Sequence, residues 1–62
     1  MPLIDIRLSA DLSESDAKGL KAESSRCMSE LTGKNEKFIL VLLGTSSGWM
    51  DGNDDPVAFV DI

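Results

Sequence analysis

The sequence predicts an α+β fold in which one β-α-β unit is followed by a third, short strand. Apolar residues alternate from Leu3 to Leu8, recur at helical spacing from about Ser13 to Leu31, and run without interruption from Phe38 to Leu43. These patterns are typical of a half-buried strand, an amphipathic helix and a strand buried on both faces. We expect a right-handed crossover between two parallel strands.

The first strand begins directly after the N-terminus. Ile4, Ile6 and Leu8 share one of its faces, whereas Asp5 and Arg7 share the other. Because successive side chains of a strand point to opposite faces, this pattern predicts one face on the core and one in a polar environment.

The following helix has sequence signals at both ends. Ser13, followed by Asp16, indicates an N-cap, and Gly33 suits the left-handed residue that ends many helices. The predicted apolar stripe consists of Ala17, Leu20, Cys27, Met28 and Leu31, with Ser24 completing it. We interpret Cys27 as a small core residue and not as a nucleophile.

The second half of the chain is predicted to contain two strands joined by a long loop. Phe38 to Leu43 is interpreted as the central strand of the sheet, and Val57 to Ile62 as the third strand. Gly44 to Pro56, rich in Gly, Ser, Asp and Asn, forms the loop, and loops of this length are usually functional or mobile. Residues 1–62 then form a single domain.

The size of the chain predicts self-association. A domain of 62 residues buries only roughly 60% of the surface that its unfolded chain exposes, so its core needs additional stabilisation. The single cysteine, Cys27, excludes an internal disulfide, and the absence of histidine disfavours a metal site. Neither a metal nor another cofactor is expected, and an oligomer becomes the leading interpretation.

Charge and hydropathy restrict the partners and the location. The net charge is -5 and the six basic residues are dispersed, which argues against binding to nucleic acid. The longest apolar run, Phe38 to Leu43, is far too short to span a bilayer, and the N-terminus has no signal-peptide pattern. We therefore expect no membrane partner and a cytoplasmic location, although unconventional export needs no such signal.

Pro2 is the first candidate for chemistry. Removal of Met1 would leave the ring nitrogen of Pro2 as a free secondary amine, which is a base and a potential imine-forming nucleophile. An ordinary α-amino group has a pKa near ~8, and a nearby cation or desolvation lowers it towards the pH at which a general base works best. The alternative is an incidental proline at the second position.

Three segments resemble the tautomerase superfamily, in particular the N-terminal half of proteins of the macrophage migration inhibitory factor type. They are Met1–Ile4, then Glu30–Lys34 together with Phe38–Val41, and finally Trp49–Phe59, which contains Gly-Asn-Asp-Asp-Pro. Their order and spacing cover almost the whole chain. The resemblance implies a β-α-β tautomerase unit that assembles into a homotrimer or homohexamer, with the N-terminal proline at the base of a pocket near a subunit interface.

The resemblance also implies an activity and its residues. Such enzymes are isomerases that interconvert keto and enol forms of small carbonyl compounds such as phenylpyruvate, without a cofactor. Pro2 would be the general acid and base, Lys34 would bind the carboxylate or carbonyl oxygen of the substrate, and Phe38 would stack on an aromatic substrate. A cation beside the pocket would both stabilise enolate charge and lower the pKa of the proline.

The chain also departs from the family. Where the mammalian cytokine has a Cys-x-x-Cys pair, this chain has Val57–Val60, so thiol-disulfide activity is not expected. Its length resembles that of 4-oxalocrotonate tautomerase, but Arg7 and Arg26 do not match the substrate-binding arginines of such short members. Two alternatives to an enzyme therefore stay open: a catalytically weak binding or signalling module, and one subunit of a mixed assembly.

Overall fold

The structure is a computed structural model that describes residues 2–62. Its elements are β1 (Leu3–Leu8), α1 (Glu14–Thr32), a short 3₁₀ helix (Glu36–Phe38), β2 (Leu40–Thr45) and β3 (Ala58–Asp61). The predicted α+β class, with one β-α-β unit followed by a short strand, is confirmed. None of the described helices is long and apolar enough to cross a membrane.

The sheet has the strand order β2-β1-β3, so the first strand and not the second is central. β1 pairs in parallel with β2, from Leu3 opposite Leu40 to Leu8 opposite Thr45, and antiparallel with β3. The predicted parallel pairing of the β-α-β unit is confirmed. The predicted central position of the second strand is wrong, because β3 returns to the free side of β1 and leaves β2 at the edge.

The apolar run from Phe38 to Leu43 also differs from the strand that it predicts. Phe38 belongs to the 3₁₀ helix, and β2 instead continues to Thr45. The side chain of Asn35 caps the 3₁₀ helix, and its carbonyl accepts a hydrogen bond from the Phe38 amide at 3.0 Å, which turns the chain before the strand begins. The exposed Leu42 lies on the sheet face that α1 does not cover.

The predicted ends of α1 are confirmed. The Ser13 side-chain oxygen accepts a hydrogen bond from the Asp16 backbone at 3.1 Å, which satisfies one of the free amides of the first turn. Gly33 ends the helix with φ 71°, a conformation that favours glycine, and its amide donates to the Ser29 carbonyl at 2.9 Å.

The core is small and lies between α1 and one face of the sheet. Only Ile4, Ile6 and Met28 are buried among the described residues. Partly buried apolar residues pack around them; they are Leu8, Leu20, Ile39, Val41 and Leu43. Ile4 and Ile6 therefore occupy the core face that the alternation in β1 predicts. The opposite face of the sheet is open, and Leu3 and Phe59 are exposed there.

An open groove of about 480 Å³ separates α1 from β3 and leaves part of the apolar helix stripe exposed. The helical spacing predicts Cys27 as a core residue, but it is exposed at the wall of this groove. Leu31, from the same helical stripe, is 84% exposed. The stripe on α1 is apolar as predicted, but its flank extends past β1 and has no packing partner within the described chain.

The segment between β2 and β3 is held at several points. Met50 and Asn53 exchange backbone hydrogen bonds across a tight turn, in which Asp51 and Gly52 have positive φ. At the base of the loop, the Val57 amide donates to the Ser9 hydroxyl at 2.7 Å. The predicted loop is thus a folded connection that returns the chain to β1.

Candidate active site

A cleft of about 590 Å³ lies where the N-terminal end of β1 meets the connection between α1 and β2. It is lined by Pro2, Gly33, Lys34, Asn35, Lys37 and Phe38. The three residues that the sequence singles out as candidates are therefore together at one place, although Pro2 lies more than thirty positions before the other two.

Pro2 is fixed at the cleft by the main chain. Its carbonyl accepts a hydrogen bond from the Leu40 amide at 3.0 Å, directly before the first register pair of β1 and β2. The residue is half-buried. The predicted removal of Met1, which would turn the Pro2 nitrogen into an amine, concerns a residue outside the described part of the chain.

Lys34 follows the helix end, where four hydrogen bonds fix the backbone. The Gly33 amide donates to the Ser29 carbonyl and closes the left-handed turn, and the Ser29 hydroxyl donates to the Lys34 carbonyl at 2.6 Å. The Lys34 amide donates to the Thr32 hydroxyl at 3.3 Å, and that hydroxyl donates to the Met28 carbonyl at 2.7 Å. The helix terminus thus holds the base of the Lys34 side chain beside the cleft.

The 3₁₀ helix presents the aromatic residue. The Asn35 side-chain oxygen accepts from the Lys37 amide at 3.0 Å, and the amide of Ile39 donates to the Glu36 carbonyl at 3.0 Å. The Phe38 ring, in a residue that is 54% exposed, lines the cleft, and the Lys37 ammonium lies 5.0 Å from the ring centre. This separation is within the range of a cation–π contact.

Lys37 is the site residue that sequence reasoning missed. It lies three positions after Lys34 and directly before Phe38, a spacing that could have revealed a second cation beside the aromatic ring. Within residues 2–62 neither lysine forms an ion pair, whereas both arginines do. Arg26 pairs with Glu23 at 2.7 Å and Glu30 at 2.6 Å, and Arg7 pairs with Asp5 at 3.7 Å.

The cleft is therefore a positively charged site on an acidic chain. Lys34 and Lys37 contribute two ammonium groups, and no carboxylate side chain lines the cleft among the described residues. Neither arginine of the chain lines it. The arrangement can hold an anionic group beside an aromatic face, next to the start of β1.

Several solved structures share this fold. The macrophage migration inhibitory factor homologue from Prochlorococcus marinus matches with a TM-score of 0.86 and 34% sequence identity, over 98% of this chain and 54% of that chain. The macrophage migration inhibitory factor-like protein from Entamoeba histolytica matches with a TM-score of 0.85 and 34% identity, over 95% of this chain and 52% of that chain.

A third structure, macrophage migration inhibitory factor from Giardia lamblia, has a TM-score of 0.87 at 17% identity, over 95% of this chain and 61% of that chain, and supports the fold alone. The chain thus spans about half the length of the solved proteins that it matches. No protein-family model matches the chain. No curated protein matches it either.

Proposed function

Because the chain has the macrophage migration inhibitory factor-like fold of the tautomerase superfamily, we propose that it is a cofactor-independent keto-enol tautomerase acting on small carbonyl acids of the phenylpyruvate type. The observation that carries this proposal is the cleft at which Pro2, Lys34 and Phe38 meet. A free proline amine beside two ammonium groups is suited to proton transfer on an anionic substrate.

In the proposed reaction, the Pro2 nitrogen of the chain without Met1 removes a proton from the carbon next to the carbonyl group. The electrons of that C–H bond form the enolate, and the proton is then returned to the enolate oxygen to give the enol. A general base of this kind contributes roughly 10²–10⁴-fold to the rate.

Lys34 and Lys37 have the electrostatic role in this proposal. In this proposal Lys37 attracts the substrate carboxylate, and Lys34 stabilises the negative charge that develops on the enolate oxygen. The same positive charge lowers the pKa of a neighbouring amine, which favours the neutral, proton-accepting form of Pro2. Phe38 offers an exposed ring on which an aromatic substrate can stack.

We further propose that the active unit is a homo-oligomer. Three buried residues among residues 2–62 are a small core, and apolar side chains are exposed on both faces of the sheet. Among them are Leu3, Leu40 and Leu42 on one face and Val60 and Ile62 on the other. Association would remove this surface from water and stabilise each subunit.

A second candidate function is a binding module with negligible turnover. The observation that favours it is the lining of the cleft, because two lysines and an exposed aromatic ring can bind an anionic aromatic ligand without any proton transfer. In that case the cleft would bind such ligands without converting them.

The test compares keto-enol conversion of phenylpyruvate by the wild type, Pro2→Ala and Pro56→Ala. Pro56→Ala is the matched control, because it replaces the other proline of the chain, which does not line the cleft. The proposal predicts turnover by the wild type and the control, and loss of most activity in Pro2→Ala. Full activity in Pro2→Ala would refute the role of Pro2, and saturable phenylpyruvate binding without turnover in the wild type would favour the binding module.

A further inference from the structure

The tight turn between β2 and β3 contains an aspartate that is directly followed by glycine. Asp51 precedes Gly52, and no other aspartate of the chain precedes a glycine. The side-chain carboxyl carbon of an aspartate and the main-chain nitrogen of the next residue can close a five-membered ring. Because glycine has no Cβ, it obstructs this approach least. The pair is therefore the position of the chain at which such a ring forms with the least steric hindrance.

The turn holds both residues of the pair at the surface. Met50 and Asn53 exchange backbone hydrogen bonds at 3.0 and 3.2 Å, and Asp51 and Gly52 between them have φ values of 55° and 74°. This is the geometry of a two-residue hairpin turn with both central residues in the left-handed region. Both central residues are exposed, and a Cβ added at Gly52 would meet no other heavy atom within 4 Å. The space around the pair is thus open.

The peptide group that joins Asp51 to Gly52 is held by one weak contact. Its carbonyl accepts a hydrogen bond from the Asn53 side chain at 3.3 Å, which is longer than most hydrogen bonds of this kind. Its N–H has no hydrogen-bond partner within residues 2–62. Because ring closure requires this peptide group to rotate, the turn offers little resistance to the reaction.

Asp54 provides a contrast within the same loop. It is also exposed, but the next main-chain amide, that of Asp55, donates to the side-chain oxygen of Asn53 at 2.9 Å. The Cβ of Asp55 adds steric hindrance that is absent at Gly52. Exposure alone therefore does not distinguish Asp51, whereas the free amide of a following glycine does.

We propose that Asp51 is a site of spontaneous modification, at which the aspartate converts into isoaspartate. The Gly52 nitrogen forms a bond to the side-chain carboxyl carbon of Asp51, and the carboxyl hydroxyl leaves with the amide proton as water. Water then adds to the original main-chain carbonyl of this succinimide and breaks its bond to the Gly52 nitrogen. The chain now continues through the former side chain, a free α-carboxylate remains, and the mass of the protein is unchanged.

The conversion also changes the turn. Isoaspartate places the Cβ of Asp51 in the main chain, so the segment between Met50 and Asn53 becomes longer by one bond. A two-residue turn of this type depends on the φ and ψ angles of both central residues, and the longer segment no longer fits the paired hydrogen bonds of Met50 and Asn53. The modification therefore opens the connection that returns the chain to β1.

The experiment incubates the full chain at neutral pH, below its thermal midpoint of unfolding, and follows isoaspartate over time. The probe is a protein isoaspartate methyltransferase with isotopically labelled S-adenosylmethionine, which esterifies the free α-carboxylate, and peptide mapping locates the label. We expect isoaspartate to accumulate at Asp51 while Asp54 stays unmodified over the same period. No label at Asp51, or equal rates at the two aspartates, would overturn the proposal.

Variants of the turn test the ring itself. Asp51→Glu should lose the label, because its longer side chain cannot close the five-membered ring, whereas the matched control Asp54→Glu should retain it. Asp51→Asn should release ammonia through the same ring and gain mass as its amide becomes a carboxylate, before Asn53 does so. Label at residue 51 of Asp51→Glu, or a constant mass of Asp51→Asn with a wild-type circular dichroism spectrum, would contradict the site.

Discussion

Replacing Lys37 by methionine removes one of the two ammonium groups of the cleft and retains a side chain of similar length. In the structure the Lys37 ammonium lies 5.0 Å from the centre of the Phe38 ring, and we take the same separation, about 5 Å, between this ammonium and the carboxylate of a substrate that stacks on the ring. Coulomb attraction at this distance strengthens binding by about fourfold at the dielectric constant of water. At an effective dielectric constant of about 20 it strengthens binding by more than about 200-fold.

Because Lys37 is exposed, we expect a result near the lower limit, with KM for phenylpyruvate raised about 4- to 20-fold in low salt and less at high ionic strength. The kcat should change little, since Lys37 attracts the substrate and its transition state alike. Steady-state kinetics of keto-enol conversion measures both constants. Lys18→Met is the matched control, as Lys18 is exposed on α1 and does not line the cleft. A KM for Lys37→Met equal to that of the control would refute the reasoning.

Three further predictions concern stability. Gly48→Ala should lower the free energy of unfolding, measured by urea denaturation, by about 1–3 kcal/mol, because the added Cβ overlaps Cγ2 of Val57. Adding Val57→Ala to this variant should recover most of the loss, and a double variant without any recovery would contradict the contact. Ser13→Ala removes the N-cap oxygen of α1 and should lower the free energy of unfolding by about 1 kcal/mol, so an unchanged thermal midpoint would count against the cap. The hydrogen bond from Arg26 lowers the pKa of Glu23 below its ordinary value of 4.5, so this interaction stabilises α1 above that value and is lost as the pH falls through the lowered pKa. Arg26→Gln should therefore have a lower free energy of unfolding than the wild type at neutral pH, and the two values should converge in acid. A difference that grows in acid would contradict this direction.

The parts of the fold that the sequence predicts well depend on local physics. Ser13 and Gly33 are short-range signals, because a cap oxygen and a left-handed glycine act within one turn of the helix. The alternation of Ile4 and Ile6 with Asp5 in β1 is equally local, since side chains of a strand alternate between its faces. These elements need no knowledge of the rest of the chain.

The errors arise where the structure depends on distant contacts. The apolar run that ends at Leu43 predicts the centre of the sheet, but an edge strand with apolar residues on both faces has the same pattern. Only the return of β3 to β1 decides between them. Cys27 shows the same limit, because its helical spacing predicts an apolar stripe and not what covers that stripe.

The candidate site is predicted by resemblance and not by periodicity. Pro2, Lys34 and Phe38 are identified from motifs, and the cleft that they line supports that choice without testing their roles. Lys37 was missed because a lysine in a short polar connection has no periodic signal. Its position is evident only from the Asn35 cap, which starts the 3₁₀ helix and brings Lys37 over the Phe38 ring.

The central claim is that the free amine of Pro2 is the base of a tautomerase. The most direct test measures the intact mass of the purified protein and its conversion of phenylpyruvate between keto and enol forms on the same sample. The account predicts a mass that lacks Met1, together with turnover. Turnover by molecules that retain Met1, or no turnover by molecules that have lost it, would contradict the claim.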